Sequence, residues 1–283
     1  MQKLVPATLV PVAVLLMAAI FFLTPLRLSM LFYPLARQAA QSKLDYETRD
    51  YSVVATEHFT VRYRDGDHTM AQLVADAAEQ AYEPVTAMLG QELNRKTLIV
   101  MYPDRGELRK AFGWSGDESA MGVYWGGVIQ VLSPRDWMRS GVTAAEFIQS
   151  GPMVHEFTHL IFDHQTNGNY PRWFTEGLAQ YAEYRINGYE WLTRTNSLSG
   201  QLYSIDDLDR RFDELPNQSL AYRQSFAAVR YIAEVHGEDA LRSITGQLRD
   251  GRSFKQAITV VLAMSYADYD QSWRQWAADT IGD

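Results

Sequence analysis

Residues 155–159 read His-Glu-Phe-Thr-His, and two imidazoles four positions apart on a helix stand on one face. Both rings can then reach a single ion at about 2.0 to 2.1 Å, the bond length zinc makes to histidine nitrogen. Glu156 lies beside the pair, where a carboxylate serves as a base towards water activated by a metal. A catalytic zinc takes three protein ligands and keeps one position open, so a third ligand must come from elsewhere. Phe162 and Gln165 stand where a three-histidine version of the motif needs Gly and His, and His164 misses by one. Seventeen residues after His159 comes Glu176, in Pro171-Arg172-Trp173-Phe174-Thr175-Glu176-Gly177-Leu178-Ala179-Gln180-Tyr181. Pro171 suits a helix start, so Glu176 falls in the first turns of a helix that can return towards the histidines. A purely structural zinc site fills its fourth position from the protein and has no use for an adjacent base, so Glu156 favours catalysis.

These segments resemble the gluzincin peptidases, with HExxH on one helix and a glutamate ligand on the next, and within them the bacterial peptidase-MA-like family with its P-x-W-x-x-E-G-x-A-x-Y segment. The matching positions are Pro171, Trp173, Glu176, Gly177, Ala179 and Tyr181. The resemblance is specific over 155–181 and extends in layout over about 57–280. It implies an α+β, zincin-like fold: an N-terminal mixed sheet lobe followed by a mostly helical C-terminal lobe. It implies Zn2+ as cofactor, held by His155, His159 and Glu176, and peptide or protein substrates cut with Glu156 as general base. It implies too a Tyr or His from the helical lobe that stabilises the oxyanion. Tyr222 is the preferred candidate, and His236 the other, because His236 precedes Gly237 at a helix end where a cation simply suits the dipole. The strand before the active-site helix, here Val128 to Leu132, is expected to pair with substrate backbone. Two departures limit the likeness. Only 16 residues separate His159 from Glu176, so the substrate preferences of the thermolysin and aminopeptidase branches do not carry over. Gln180, four residues after Glu176, leaves unfilled the place of an acid that supports a ligand histidine in thermolysin-like enzymes.

The elements that must position these groups are legible in outline. Phe59-Thr60-Val61-Arg62-Tyr63 alternates as a half-buried strand does, and apolar residues from Met70 to Leu89 keep a helical period that Gly90 ends. Thr97 to Tyr102 reads as a buried strand, and Gly126-Gly127 between two apolar runs reads as a hairpin turn. Gly151-Pro152 must kink the histidine helix or restart it. From Thr143 onward the period is helical almost to the end, with capping boxes at Thr143/Glu146 and Ser265/Asp268. His58, His68 and His164 read as surface residues.

Composition narrows the setting. The chain has 283 residues, no cysteine, 26 basic and 34 acidic residues and a formal charge of −8. Thiolate metal sites and disulfide frameworks are excluded, and so acidic a body makes nucleic acid an unsuitable partner. Between Lys3 and Arg27 run 23 uncharged residues, Leu4 to Leu26, enough for one transmembrane helix in a lipid bilayer. A cleaved signal competes with that reading, but no small-x-small site follows the apolar run closely, which favours an uncleaved anchor. The chain therefore divides into anchor and flank (1–35), a polar tether (36–56) and a peptidase-like domain (57–283). Its sheet lobe covers about 57–140 and its helical lobe about 141–283. The reading as a whole is a single-pass, membrane-anchored zinc metallopeptidase with an extracytoplasmic catalytic domain. The alternative is a tethered, catalytically silent zinc-fold module that binds or scaffolds.

Overall fold

A mixed five-stranded sheet forms the roof over the histidine helix in the computed structural model, which describes residues 28–114, 120–138 and 143–281. In chain order the elements are α1 (Leu28–Glu47), β1 (Ser52–Ala55), β2 (Phe59–Tyr63), α2 (His68–Leu89), β3 (Thr97–Tyr102), α3 (Arg105–Phe112), β4 (Gly122–Trp125) and β5 (Val128–Leu132). The short helices α4 (Pro134–Trp137) and α5 (Ala144–Ser150) lead to α6 (Met153–Thr166) and α7 (Arg172–Asn187). Then come α8 (Ile205–Arg211), α9 (Gln218–His236), α10 (Glu238–Arg249), α11 (Phe254–Leu262) and α12 (Tyr266–Thr280). The fold is α+β, a mixed sheet followed by a mostly helical C-terminal part, the layout that the resemblance implies.

The strands lie in the order β1-β2-β3-β5-β4, parallel at β2/β3 and β3/β5 and antiparallel at β1/β2 and β4/β5. β5 is thus an inner strand, bonded on both sides and buried throughout, and the open edge towards the site belongs to β4. The expectation that Val128–Leu132 would receive a peptide is therefore corrected. A hairpin carries the chain from the edge inward, so the strand nearest the helix in sequence is the one already paired.

Beneath the sheet, Phe157 of α6 packs edge-on to Phe59 of β2 with ring centroids 5.1 Å apart and stacks near Tyr82 of α2. This locks the histidine helix to the roof. Pro152 caps α6 after the break at Gly151, so the Gly-Pro pair restarts the helix. Most of α6 is buried on every side, as in a helix that runs through a core. α7 and α9 cross closely at Gly177, where an added Cβ would lie 2.2 Å from the carbonyl oxygen of Ser225. The glycine after Glu176 is thus a point of helix contact.

Residues 36–56, read from composition as a tether, form instead most of α1 and all of β1. Their polar side chains are spent on specific bonds: Gln41 donates to the Gly127 carbonyl at 2.8 Å, and Arg62 of β2 pairs with Asp45 at 2.7 Å. The run Leu4 to Leu26 lies outside the described residues. Among the described residues no helix is long and apolar enough to cross a membrane.

Candidate metal centre

The i, i+4, i+8 stripe of α6 places His155, His159 and Asp163 in one row. α7 returns beside it and brings Glu176 against the first two. Glu176 Oε2 lies 3.4 Å from His155 Nε2 and 3.5 Å from His159 Nε2. Four ligands at about 2.0 to 2.1 Å around a tetrahedral zinc are separated from one another by about 3.3 to 3.4 Å. The three donor atoms therefore stand where one such ion would hold them; among the described residues they are one of two groups close enough to share an ion, the other being the more exposed Glu57, His58 and Glu79. His155, His159, Glu156 and Glu176 come together as their spacing predicts.

Each histidine is oriented through its other ring nitrogen. His159 Nδ1 meets Thr175 Oγ1 at 2.7 Å, and His155 Nδ1 meets Glu183 Oε2 at 2.9 Å. Such partners fix the ring and raise its basicity as a ligand. Glu183 supplies the supporting carboxylate whose absence Gln180 suggested. It lies seven residues after Glu176, two turns along the same face of α7, so helical periodicity alone carries the signal. Gln180 instead donates to the Tyr222 carbonyl at 3.0 Å.

The electrostatics fit a cation. Burial alone would raise the Glu176 carboxyl, but the His159 and His155 imidazoles and the Arg172 guanidinium outweigh it and hold the group well below the usual carboxylate range. Burial likewise opposes charge on His155, and Glu183 and Glu176 overcome it and raise that imidazole. Glu156 differs, for burial raises its carboxyl in spite of both histidines. Edge strand β4 approaches this carboxylate so closely that a Cβ at Gly122 would lie 2.8 Å from Glu156 Cγ.

Two cavities open beside Glu156. One of about 330 Å³ holds the ligand triad together with Tyr124, Tyr170, Arg172 and Tyr222. Its neighbour, about 260 Å³, is lined by Met121, Pro152, Tyr189 and Trp191, and shares Glu156 and Tyr222 with the first. Tyr222 thus stands at the junction of the two, with Arg172 lining the same cleft, and has its hydroxyl pushed up by burial and by Glu176. It keeps its proton and can donate. His236 is elsewhere, at the end of α9, 3.3 Å from the Tyr231 hydroxyl. His164 is half-buried and His58 stacks on Tyr82, while only His68 is exposed as expected.

Residues 77–279 match the model of the Peptidase MA superfamily. The chain belongs to that superfamily. Two similar solved structures are the M1 zinc metallopeptidase from Deinococcus radiodurans and a point mutant of it. Each has 15% sequence identity and a TM-score of 0.44, and the match covers 80% of this chain and 50% of that one. This chain therefore spans half the length of the structures it matches. No curated protein sequence matches it. The Peptidase MA match takes in both motif helices, the whole ligand triad and Glu183, so the gluzincin resemblance over 155–181 agrees with the family assigned.

Proposed function

We propose that this Peptidase MA member is a membrane-anchored zinc metallopeptidase that hydrolyses peptide bonds, with its catalytic domain on the extracytoplasmic side. The observation that carries the reading is the convergence of His155 Nε2, His159 Nε2 and Glu176 Oε2 at tetrahedral spacing, with the buried Glu156 in the same cleft. A zinc ion held by these three would polarise the scissile carbonyl and lower the pKa of bound water towards about 7. Glu156 takes the proton of the attacking water, and its raised carboxyl then gives that proton to the amine nitrogen as the C–N bond breaks. Tyr222 donates a hydrogen bond to the developing oxyanion, with the Arg172 charge in the same cleft. The open edge of β4 offers backbone groups to an extended peptide, and the cavity of Met121, Tyr189 and Trp191 receives a bulky apolar side chain next to the cut bond.

The test is paired. Wild type and Glu156→Gln, matched in zinc content, are given the same peptide library. Cleavage by the wild type with bulky apolar residues enriched beside the cut, and a loss of about 100 to 10,000-fold in the variant, is the expected outcome. A variant as active as the wild type would move the chemistry away from this motif. A wild type that cuts nothing yet binds a partner equally well as Glu156→Gln would favour the silent scaffolding module.

A further inference from the structure

The first half of α1 divides its apolar residues between two sides. Met30 is buried, and Tyr33 and Arg37 reach down to Asp163 on α6, so that side is committed to the domain. Leu31, Phe32 and Leu35 point the other way and are 56%, 65% and 62% exposed. Three large apolar side chains within about one turn form a strip that nothing in the described domain covers.

Its place in the chain indicates what covers it. The uncharged run ends at Leu26, two residues before α1 begins. At about 1.5 Å per helical residue, Leu31 and Leu35 follow that end by about 8 and 14 Å. The polar layer on each side of the hydrocarbon core is about 5 to 8 Å thick, and an amphipathic helix sinks its apolar face about 5 to 10 Å into it. We infer that Leu31, Phe32 and Leu35 lie in the interfacial layer of a lipid bilayer, so that the first turns of α1 rest obliquely in the surface, the later turns rise out of it, and the helix clamps the peptidase domain to the membrane. The inference rests on the reading of Leu4 to Leu26 as a bilayer-spanning segment.

The clamp has a consequence for the cleft. α1 is bonded to α6 four residues beyond the ligand His159, and it borders a cavity of about 690 Å³ shared with Trp125, Tyr170 and Arg172. Tyr170 and Arg172 also line the metal cleft. A domain held this way keeps its cleft at one height and one angle above the bilayer, where a flexible tether would let it roam.

The absence of cysteine makes a clean test possible. Leu31→Cys, Phe32→Cys and Leu35→Cys are made in the full chain, with Lys43→Cys as a control on α1 about 17 Å beyond residue 32. Each carries a nitroxide and is reconstituted in liposomes of phosphatidylcholine and phosphatidylglycerol. Collisions with oxygen, which concentrates in lipid, are compared with collisions with a water-soluble nickel chelate. Oxygen should dominate at 31, 32 and 35, and the chelate at 43. Chelate access at 32 and 35 equal to that at 43 overturns the clamp. So does low access to both reagents, which would mean cover by protein, with spin–spin broadening marking a second copy and its absence marking residues 4–26 folded back. A chain that fails to float with the liposomes removes the spanning reading itself, a separate failure from a floating chain whose strip is wet.

Discussion

Two buried carboxylates flank the same stretch of helix and have opposite surroundings. Asp163, with none of its surface exposed, accepts hydrogen bonds from Tyr33 at 2.7 Å, Tyr124 at 2.6 Å and Tyr170 at 2.9 Å, and pairs with Arg37 at 2.8 Å. Its donors come from α1, β4 and the loop before α7, and burial together with Asp163 pushes all three phenols up so that each keeps its proton. Glu176, buried almost as deeply, pairs with Arg172 through Oε1 at 3.1 Å, but its Oε2 faces two imidazole nitrogens that stand back at 3.4 and 3.5 Å. An ordinary N–H···O bond is about 2.9 Å, so these groups are spaced for something between them. The saturated carboxylate is a fastening, and the one whose second oxygen has only distant donors is free to hold a metal ion.

The largest effect should come from breaking the open cluster. Glu176→Ala removes one of three ligands and should release the metal during dialysis against a chelator, with hydrolysis abolished. One zinc per chain retained at wild-type affinity, by elemental analysis, would remove Glu176 from the ligand set. The same substitution at the saturated cluster should do the reverse. Asp163→Ala strands a buried guanidinium and three phenols, a loss of about 3 to 5 kcal/mol. The unfolding free energy from urea titration should fall by that amount while the folded protein still binds one zinc. Loss of zinc at unchanged stability would show that the two clusters are not separable. Tyr222 lines the metal cleft, and Tyr222→Phe should slow turnover by about 10 to 1,000-fold with zinc and stability intact. An unchanged rate would leave the oxyanion without a donor from this helix.

How much of this the sequence revealed follows the range of the interactions. His155, Glu156, His159 and Glu176 were legible because helical periodicity alone sets which residues share a face, and Pro171 marked where the second helix begins. Gly126-Gly127 was legible as a turn, but the position of β5 between β3 and β4 was not, since strand order is set by pairing across the chain. Asp163 sits in the same row as the histidines, but its role was not legible because three of its four partners lie 39, 126 and 130 residues away in the sequence. α1 hid for the same reason: its composition is that of a polar linker, and only Asp163, the Gly127 carbonyl and the apolar strip give its faces a meaning. Glu183 was within reach of local reasoning, two turns from Glu176 rather than one.

The smallest effect probes the edge of the saturated cluster. His164 follows Asp163 on α6 and shares a cavity with Gln38 and Gln41 of α1 and with Arg95. Burial and the Arg37 charge, assisted by Arg95 and opposed by Asp163, push its imidazole down to about 4. The guanidinium that satisfies Asp163 thus also discourages a proton one residue away. In the unfolded chain the ring titrates near 6.5. Above that pH both states are neutral and His164 contributes nothing to the pH dependence. Between about 6.5 and 4 the unfolded chain binds a proton that the folded protein refuses, so stability falls as pH falls, and below about 4 the loss levels off. With the ring still partly solvated, the effect is on the order of 1 to 2 kcal/mol by pH 4.5. Other carboxylates titrate in the same range, so the informative quantity is the difference between wild type and His164→Gln in urea midpoints measured from pH 7.5 to 4.5. The variant should lose less stability on acidification, with the two curves parallel above pH 7. Curves that stay parallel over the whole range would mean that the ring takes up its proton in the fold as readily as in water. Arg37 would then act on Asp163 alone.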